Sequence, residues 1–180
     1  MPPELISQSI AFLATFVYGS FFEWTLHRFF MHRRQKIVPY PFELHALIHH
    51  KIFGSDETFH AQSKEMLEHV TFVPRDYLIL LCINAPLFLA IQWLTGLQIA
   101  LGGSLAVLAY LGMFDALHWM FHVPRARIVE RFRPYRWLKR HHLLHHRYQT
   151  RNFNVVFPLA DFTLGTRISR PREGTQILQV

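Results

Sequence analysis

The stretch LQIALGGSLAVLAYLGMFDALHWMFH, residues 97–122, contains the two features that decide the fold of this chain. Its first eighteen residues, 97–114, carry no charged side chain, and at ~1.5 Å per residue they would form a helix roughly 27 Å long. That length approaches the hydrocarbon core of a bilayer, about 30 Å. Asp115 ends the apolar run, and His118 and His122 follow, four residues apart. The stretch therefore predicts a membrane-spanning helix that leads directly into a polar site.

Two other segments resemble the apolar part of this stretch. Residues 5–22 and 77–95 also lack charged side chains over about the length that a bilayer requires. The three runs predict an all-α integral membrane protein with about three transmembrane helices. Gly96 indicates a tight connection between the second and third helices, and Gly102 and Gly103 would let a neighbouring helix approach closely.

The distribution of charge predicts the orientation. The chain has 180 residues, which indicates a single domain, residues 1–180, and a net charge of +7. All 19 Lys and Arg residues lie in two blocks, residues 28–75 and 125–172, which three crossings place on one side of the membrane. The positive-inside rule makes that side cytoplasmic, in a bacterial inner membrane or in the endoplasmic reticulum. We therefore expect a cytoplasmic helical cap formed by residues 23–76 and 115–167.

Two other classes of site are disfavoured. The basic and aromatic run RFRPYRWLKR, residues 131–140, has a composition also found in nucleic-acid-binding proteins, but beside three spans it is expected to rest on anionic lipid headgroups. No nucleic-acid partner is therefore predicted. The single cysteine, Cys82, excludes an internal disulfide and a thiolate zinc cluster.

Ten of the thirteen histidines form four clusters outside the proposed spans. The clusters read HRFFMH (27–32), HALIHH (45–50), HWMFH (118–122) and HLLHH (142–146). The candidate metal ligands are His27, His32, His45, His49, His50, His118, His122, His142, His145 and His146. Neutral imidazole suits iron, copper, nickel and zinc. Ten such ligands exceed the four of a tetrahedral zinc site, so two ions with about five nitrogens each fit better.

The spacing within each cluster predicts local geometry. Residues at i and i+4 share a helix face, so three pairs could each hold one ion: His45/His49, His118/His122 and His142/His146. Adjacent histidines point about 100° apart, so each of the two His-His pairs could serve two neighbouring ions. His27 and His32 are separated by five positions, which an ideal α-helix would splay by roughly 140°. A π-bulge or a break is therefore predicted there.

Other polar residues are expected to orient the ligands. A carboxylate or amide that accepts a ligand's second N–H fixes its tautomer, and the candidates are Asp115, Asp161, Asn152 and Glu23. Asp115 is the leading one because it lies one helical turn before His118. His60 and His69 are expected in solvated loops, and His141 beside the ligands or at the surface.

The four clusters together resemble the histidine boxes of the fatty acid hydroxylase/sterol desaturase superfamily of integral-membrane di-metal enzymes. The tail NFNVVFPLADFTLGT, residues 152–166, is similar to the fatty acid hydroxylase branch. The resemblance covers residues 21–166 and implies that the ten histidines hold two iron ions, for which zinc can substitute in preparations. Relatives commonly have four membrane helices, whereas this chain has room for three. Some carry a fused cytochrome b5 domain, for which this chain shows no segment.

The resemblance implies an O2-dependent monooxygenase that hydroxylates an unactivated C–H bond of a lipid, a fatty acyl chain first of all. The lipid would come from the bilayer and the electrons from an external cytochrome b5-like or ferredoxin-like protein. Carotenoid or sterol hydroxylation or desaturation is the alternative within the superfamily. A metal-binding membrane transporter is the non-enzyme alternative, although the spans offer only Asn84 and Gln92 as weak polar candidates. A membrane cytochrome would leave eight ligands unexplained.

Overall fold

The computed structural model describes residues 2–125, 127–171 and 174–178, and in these residues the fold is entirely helical. The α-helices are α1 (Pro3–Thr25), α2 (Tyr40–Phe42), α3 (His50–Ile52), α4 (Pro74–Thr95), α5 (Ala100–His122), α6 (Arg133–Arg147) and α7 (Leu159–Thr163). Two π-helical segments, Leu26–Met31 and Glu43–His49, end directly before His32 and His50. Short 3-10 turns cover Glu57–Phe59, Glu65–His69 and Ile128–Arg131.

Three helical stretches are long and apolar enough to cross a membrane: Pro3–Met31, Glu65–Thr95 and Ala100–His122. Large apolar side chains on them face outward, as with Trp93 at 84% exposure and Leu101 at 63%. Such exposure is costly in water and favourable in a hydrocarbon phase. The prediction of an all-α chain with three candidate membrane helices is therefore confirmed, while the side on which the cap lies stays a prediction.

The third long helix begins three residues later than the apolar run suggests. Gly96 ends α4 with a left-handed φ of 71°, a conformation that glycine adopts without steric cost. The Gln92 side-chain oxygen then accepts hydrogen bonds from the backbone N–H groups of Ile99 and Ala100, at 3.0 and 2.9 Å. The first N–H groups of an α-helix have no partner within the helix, and the Gln92 side chain supplies one for these two. Residues 97–99 therefore form a connection, and α5 begins at Ala100.

The described residues form two compact units, the first made of residues 2–19 and 72–115. Within it, glycines allow close helix packing, as predicted. A Cβ atom on Gly102 would collide with the backbone carbonyl of Gln8, and one on Gly103 would lie 2.8 Å from the Phe88 ring. Asn84 is buried, accepts a hydrogen bond from the Tyr18 hydroxyl at 2.6 Å and donates to the Leu80 carbonyl.

The second unit comprises residues 20–71 and the described residues from 116 onward, and it contains all thirteen histidines. The chain enters it inside α1, after Gly19, and again inside α5, after Asp115. The core of this unit combines aromatic rings with imidazoles, since Phe53, Phe59 and Phe121 are as fully buried as His122 and His142. The single-domain organisation of the chain stays a prediction.

Candidate metal centre

The ten histidines of the four clusters converge in two groups of five. The first group consists of His27, His32, His45, His50 and His145, and the second of His49, His118, His122, His142 and His146. Within each group the candidate ligand nitrogens all lie within 4.8 Å of one another. Nine of the ten side chains are buried, and His32 is half-buried. Four separate pieces of chain therefore deliver nitrogen donors to two adjacent points.

The first π-helix explains how two residues five positions apart join the same group. In the segment Leu26–Met31, the N–H of His32 donates to the carbonyl of His27 at 3.0 Å, the i to i−5 pattern of a π-helix. The two rings therefore stack, with centroids 5.0 Å apart. The predicted π-bulge is confirmed.

A second π-helix, Glu43–His49, was not predicted and changes one assignment. Here the N–H of His50 donates to the carbonyl of His45, so His45 and His50 share the first group and His49 belongs to the second. The prediction that His45 and His49 share an ion is wrong, because a residue five positions away replaces the one four positions away. The other two pairs, His118/His122 and His142/His146, do lie in one group each.

Adjacent histidines are divided between the groups, as their angular separation on a helix predicts. His49 and His50 go to different groups, and so do His145 and His146. The groups are close neighbours, since the ring centroids of His50 and His146 are 4.3 Å apart. Metal ions held by the two groups would therefore be close neighbours.

Backbone carbonyls fix the ring orientation in the second group. The Nδ1–H groups of His49, His118, His122 and His146 donate to the carbonyls of His69, Val70, Phe59 and Phe53, at 2.7 to 2.9 Å. All four acceptors lie between residues 53 and 70. Because these carbonyls can only accept hydrogen bonds, each neutral ring carries its proton on Nδ1. Its Nε2 is unprotonated and has a lone pair that can bind a metal ion.

A different segment fixes the first group. His27 Nδ1 donates to the carbonyl of Phe153, and His145 Nδ1 donates to the carbonyl of Arg151 at 2.8 Å. Both acceptors belong to the tail that follows α6. The two groups are therefore held by two separate stretches of chain, residues 53–70 and residues 151–153.

The facing nitrogens are arranged as they would be around a shared cation. Nε2 of His49 and Nε2 of His146 lie 3.3 Å apart, although both are unprotonated because both Nδ1 atoms donate to carbonyls. Two lone pairs at this distance repel unless a positive ion lies between them. The closest Nε2–Nε2 pairs within the groups are 2.8 to 3.3 Å apart. Ligands about 2.1 Å from one ion would be separated by roughly 3.0 to 3.4 Å, so the donor sets fit metal ions.

Burial keeps the ligands neutral. It lowers the pKa of His32 to about 2 and that of His145 to about 4, both from an ordinary value of 6.5. Burial, followed by repulsion from neighbouring imidazoles, places the pKa values of His49, His50 and His146 well below the ordinary range. Metal binding requires the unprotonated ring, so no proton has to be displaced at neutral pH.

A layer of phenylalanine rings surrounds the imidazoles. Phe53 and Phe59 pack on His122 with centroid distances of 4.4 and 4.7 Å, and Phe121 packs on His142 at 5.7 Å. Phe153 covers the first group, 5.8 Å from His145. These rings are at most 2% exposed and exclude water from the outer side of the site.

The four residues expected to orient ligands differ in what they contact. Asp161 and Glu23 are buried and accept hydrogen bonds from backbone N–H groups of the tail, at Phe153, Asn154 and Val155. The side-chain amide of Asn152 donates hydrogen bonds to the carbonyls of His141 and Ile168. Asp115 accepts from the Phe72 N–H at 3.0 Å and from the Tyr77 hydroxyl at 2.6 Å. His118, which Asp115 was expected to orient, donates its Nδ1–H to the Val70 carbonyl.

The three histidines outside the clusters have distinct surroundings. His69 is exposed as expected, but its backbone carbonyl supports His49. His60 is half-buried rather than solvated, and burial lowers its pKa to about 4. His141 is 3% exposed and its Nε2 lies 3.1 Å from Oδ2 of Asp161. The carbonyl acceptors and the His141–Asp161 pair were missed, since backbone groups carry no signal in sequence and the pair is long-range.

The fold and this centre define a class of protein: a helical protein with three candidate membrane helices and a site of ten histidines suited to two metal ions. The family model described as Fatty acid hydroxylase matches residues 12–166, which include all ten histidines and the tail. The chain belongs to this family. The family consists of hydroxylase and desaturase enzymes, so the chain is an oxidoreductase of the membrane di-metal hydroxylase/desaturase kind. No significant match to a curated protein or to a solved structure was found.

Proposed function

We propose that this protein is a membrane-bound di-iron monooxygenase that uses O2 and external electrons to hydroxylate an unactivated C–H bond of a lipid, a fatty acyl chain in particular. The observation that carries the proposal is the pair of facing, unprotonated nitrogens of His49 and His146 inside a set of ten convergent imidazoles. Family membership supports the reaction class. The ten histidines are the proposed ligands, five for each ion.

Iron is the proposed metal because the family resemblance implies it. The entirely imidazole donor set suits iron as well as copper, nickel and zinc, and five donors per group exceed a tetrahedral zinc site. When bound, the metal pair would supply O2 activation, for which side chains alone have no chemistry. The protein's own part is to hold ten neutral nitrogens in place through backbone carbonyls. The Phe53, Phe59, Phe121 and Phe153 rings exclude water that would quench an oxidant.

The apolar helices support a lipid substrate, and the charge of the chain supports the choice of electron donor. A lipid that is already in the bilayer would reach a site in the same chain without passing through water. The electron donor is proposed to be a cytochrome b5-like or ferredoxin-like protein, and the net charge of +7 favours an acidic partner. We place the site on the cytoplasmic side of the membrane, following the distribution of Lys and Arg.

The transporter alternative loses its two polar candidates within the long helices. Asn84 is occupied by hydrogen bonds with Tyr18 and Leu80, and Gln92 caps the start of α5. Both side chains therefore have structural roles that engage their oxygen atoms. A transported ion would need such groups as ligands along its path.

The test is lipid profiling in a host that expresses the chain together with an electron donor. Wild type is expected to produce hydroxylated acyl chains, identified by mass spectrometry, and His145→Ala together with His146→Ala is expected to abolish them. His69→Ala is the matched control, because this side chain is exposed and only its backbone carbonyl contacts a ligand. Identical profiles for wild type and the double variant would refute the proposal. If wild type and the double variant differ only in hydroxylated sterols or carotenoids, the substrate belongs to that alternative class and not to the fatty acyl chains.

A further inference from the structure

The tail segment 151–166 contains a network of hydrogen bonds centred on Asp161. Asp161, which is 0% exposed, accepts four hydrogen bonds. Its Oδ1 accepts from the Phe153 N–H at 3.0 Å and the Thr166 hydroxyl at 2.6 Å, and its Oδ2 accepts from the Asn154 N–H at 2.7 Å and from His141. A carboxylate with four donors is firmly fixed and holds the groups around it.

One of these bonds acts on a peptide group that also contacts a metal ligand. The Phe153–Asn154 peptide group has its N–H on Asp161 and its C=O on Nδ1 of His27. A trans peptide is planar, with N–H and C=O pointing in opposite directions. Fixing the N–H side therefore fixes the direction of the carbonyl on the other side.

Asn152 makes a second carbonyl available to the same group of ligands. Its φ of 55° is left-handed, a conformation in which asparagine is enriched. This turn allows the carbonyls of both Arg151 and Phe153 to meet ligands of the first group, His145 and His27. Four ligands of the second group, in contrast, receive their carbonyls from residues 53–70.

We propose that Asp161 is a positioning residue that acts on His27 through the Phe153–Asn154 peptide group, and that it sets the metal affinity of the first histidine group without changing that of the second. Metal-binding histidines commonly donate their second N–H to a carboxylate, which orients the ring and raises its basicity. Here a peptide group lies between the carboxylate and the ring. Hydrogen bonds in such a chain polarise one another, so the negative charge of Asp161 strengthens the carbonyl as an acceptor for His27.

This inference rests on the proposed metal-binding role of the two groups, and its test measures metal rather than product. The protein is purified in detergent, freed of metal with a chelator and equilibrated with buffered Co(II), and bound cobalt is counted per chain. Wild type is expected to bind two equivalents. Asp161→Asn is expected to retain one tight equivalent and to bind the other roughly 10- to 100-fold more weakly, the usual effect of removing such a partner.

Double variants identify which group is affected. His142 belongs to the second group and His145 to the first. Asp161→Asn with His142→Ala is expected to bind no tight equivalent, whereas Asp161→Asn with His145→Ala should keep the same one as Asp161→Asn alone. Thr163→Ala is the control for α7, because this side chain is exposed and bonds only carbonyls of its own helix. It should bind two equivalents.

Two unchanged equivalents in Asp161→Asn, or a loss that falls on the second group, would overturn the inference. If Asp161→Asn loses both equivalents, the milder Thr166→Val decides, since it removes one of the four donors to Asp161. It is expected to weaken the first group alone, by about two- to tenfold, as for one hydrogen bond. An equal effect on both groups, or none, would then reject the inference.

The two proposals fail in different ways. Two equivalents in wild type, a selective loss in Asp161→Asn and no hydroxylated lipid would reject the oxygenase and leave the role of Asp161 intact. Hydroxylated lipid from wild type, with no selective loss in the variant, would reject the role of Asp161 and leave the oxygenase.

Discussion

The buried histidines should make the metal-free protein unusually sensitive to acid. Six of the ligands outside the candidate membrane helices are at most 8% exposed: His45, His49, His50, His142, His145 and His146. Burial lowers the pKa of each, to about 4 for His145 and well below the ordinary value for the others. In the unfolded chain the same rings titrate near the ordinary value of 6.5.

The sign and the size of the effect follow from proton linkage. Above pH 6.5 each ring is mostly neutral in the folded and in the unfolded chain, so pH has little effect on stability. Below pH 6.5 the unfolded chain binds protons that the folded chain cannot bind, and stability falls as the pH falls. The fall ends at the pKa of the folded state, which is about 4 for His145. Between pH 7 and 5.5 each ring costs roughly 1 kcal/mol, so the six rings together cost several kcal/mol. That is comparable with the whole stability of a typical domain, about 5–15 kcal/mol.

The measurement is the unfolding temperature of the detergent-solubilised protein from pH 8 to 5, with and without bound metal. The metal-free protein is expected to lose most of its stability between pH 6.5 and 5.5. The metal-loaded protein should resist to lower pH, because the ion occupies the nitrogens that protons would need. His45→Gln should reduce the loss by roughly 1 kcal/mol, one ring's share, while the exposed control His69→Ala should not. A flat profile for the metal-free protein, or equal profiles with and without metal, would refute the reasoning.

Three further substitutions test the packing. Gly102→Ala should destabilise the first unit by roughly 1–3 kcal/mol, because the new Cβ collides with the Gln8 backbone. Gly112→Ala is the control, since there is open space around Gly112 and no destabilisation is expected. Thermal unfolding distinguishes the two variants. Phe59→Ala removes a fully buried ring beside His122 and should cost about 3–5 kcal/mol and weaken metal retention by the second group, measured as metal per chain. Asn152→Ala should be less stable than Asn152→Gly by about 1 kcal/mol in chemical unfolding, because both lose the side-chain bonds but only alanine strains the left-handed φ. Equal stabilities for that last pair would contradict the role of the turn.

The parts of the fold that could be predicted are those that local physics controls. A charge-free run of bilayer length leaves few options other than a spanning helix, and all three runs lie in the helices α1, α4 and α5 apart from residues 97–99. The exception depends on Gln92, whose side chain folds back to cap the next helix. A side-chain choice of that kind is made by tertiary contacts, which the hydrophobic pattern does not contain.

The two π-helices show where the spacing of ligands stops being informative. His27 and His32 have only one way to share a group, so their separation of five positions predicted the π-helix correctly. HALIHH offers His45 two partners, four and five positions away, and an α-helix makes the first the natural choice. The chain adopts the second because His49 is needed by the other group, a requirement set by His118, His122, His142 and His146.

The dependence on backbone carbonyls explains why some supporting residues could not be found from sequence. Six of the ten ligands are anchored by the carbonyls of residues whose side chains have no part in the bond, from Phe53 to Phe153. Side-chain identity at such positions matters only where it shapes the backbone, as at Asn152, or fixes a peptide group, as at Asp161. The residues that control ligand geometry are therefore one step removed from the ligands. Because each histidine group depends on its own stretch of backbone, the metal affinities of the two groups would change independently, and a substitution in residues 151–166 should weaken metal binding by the first group and not by the second.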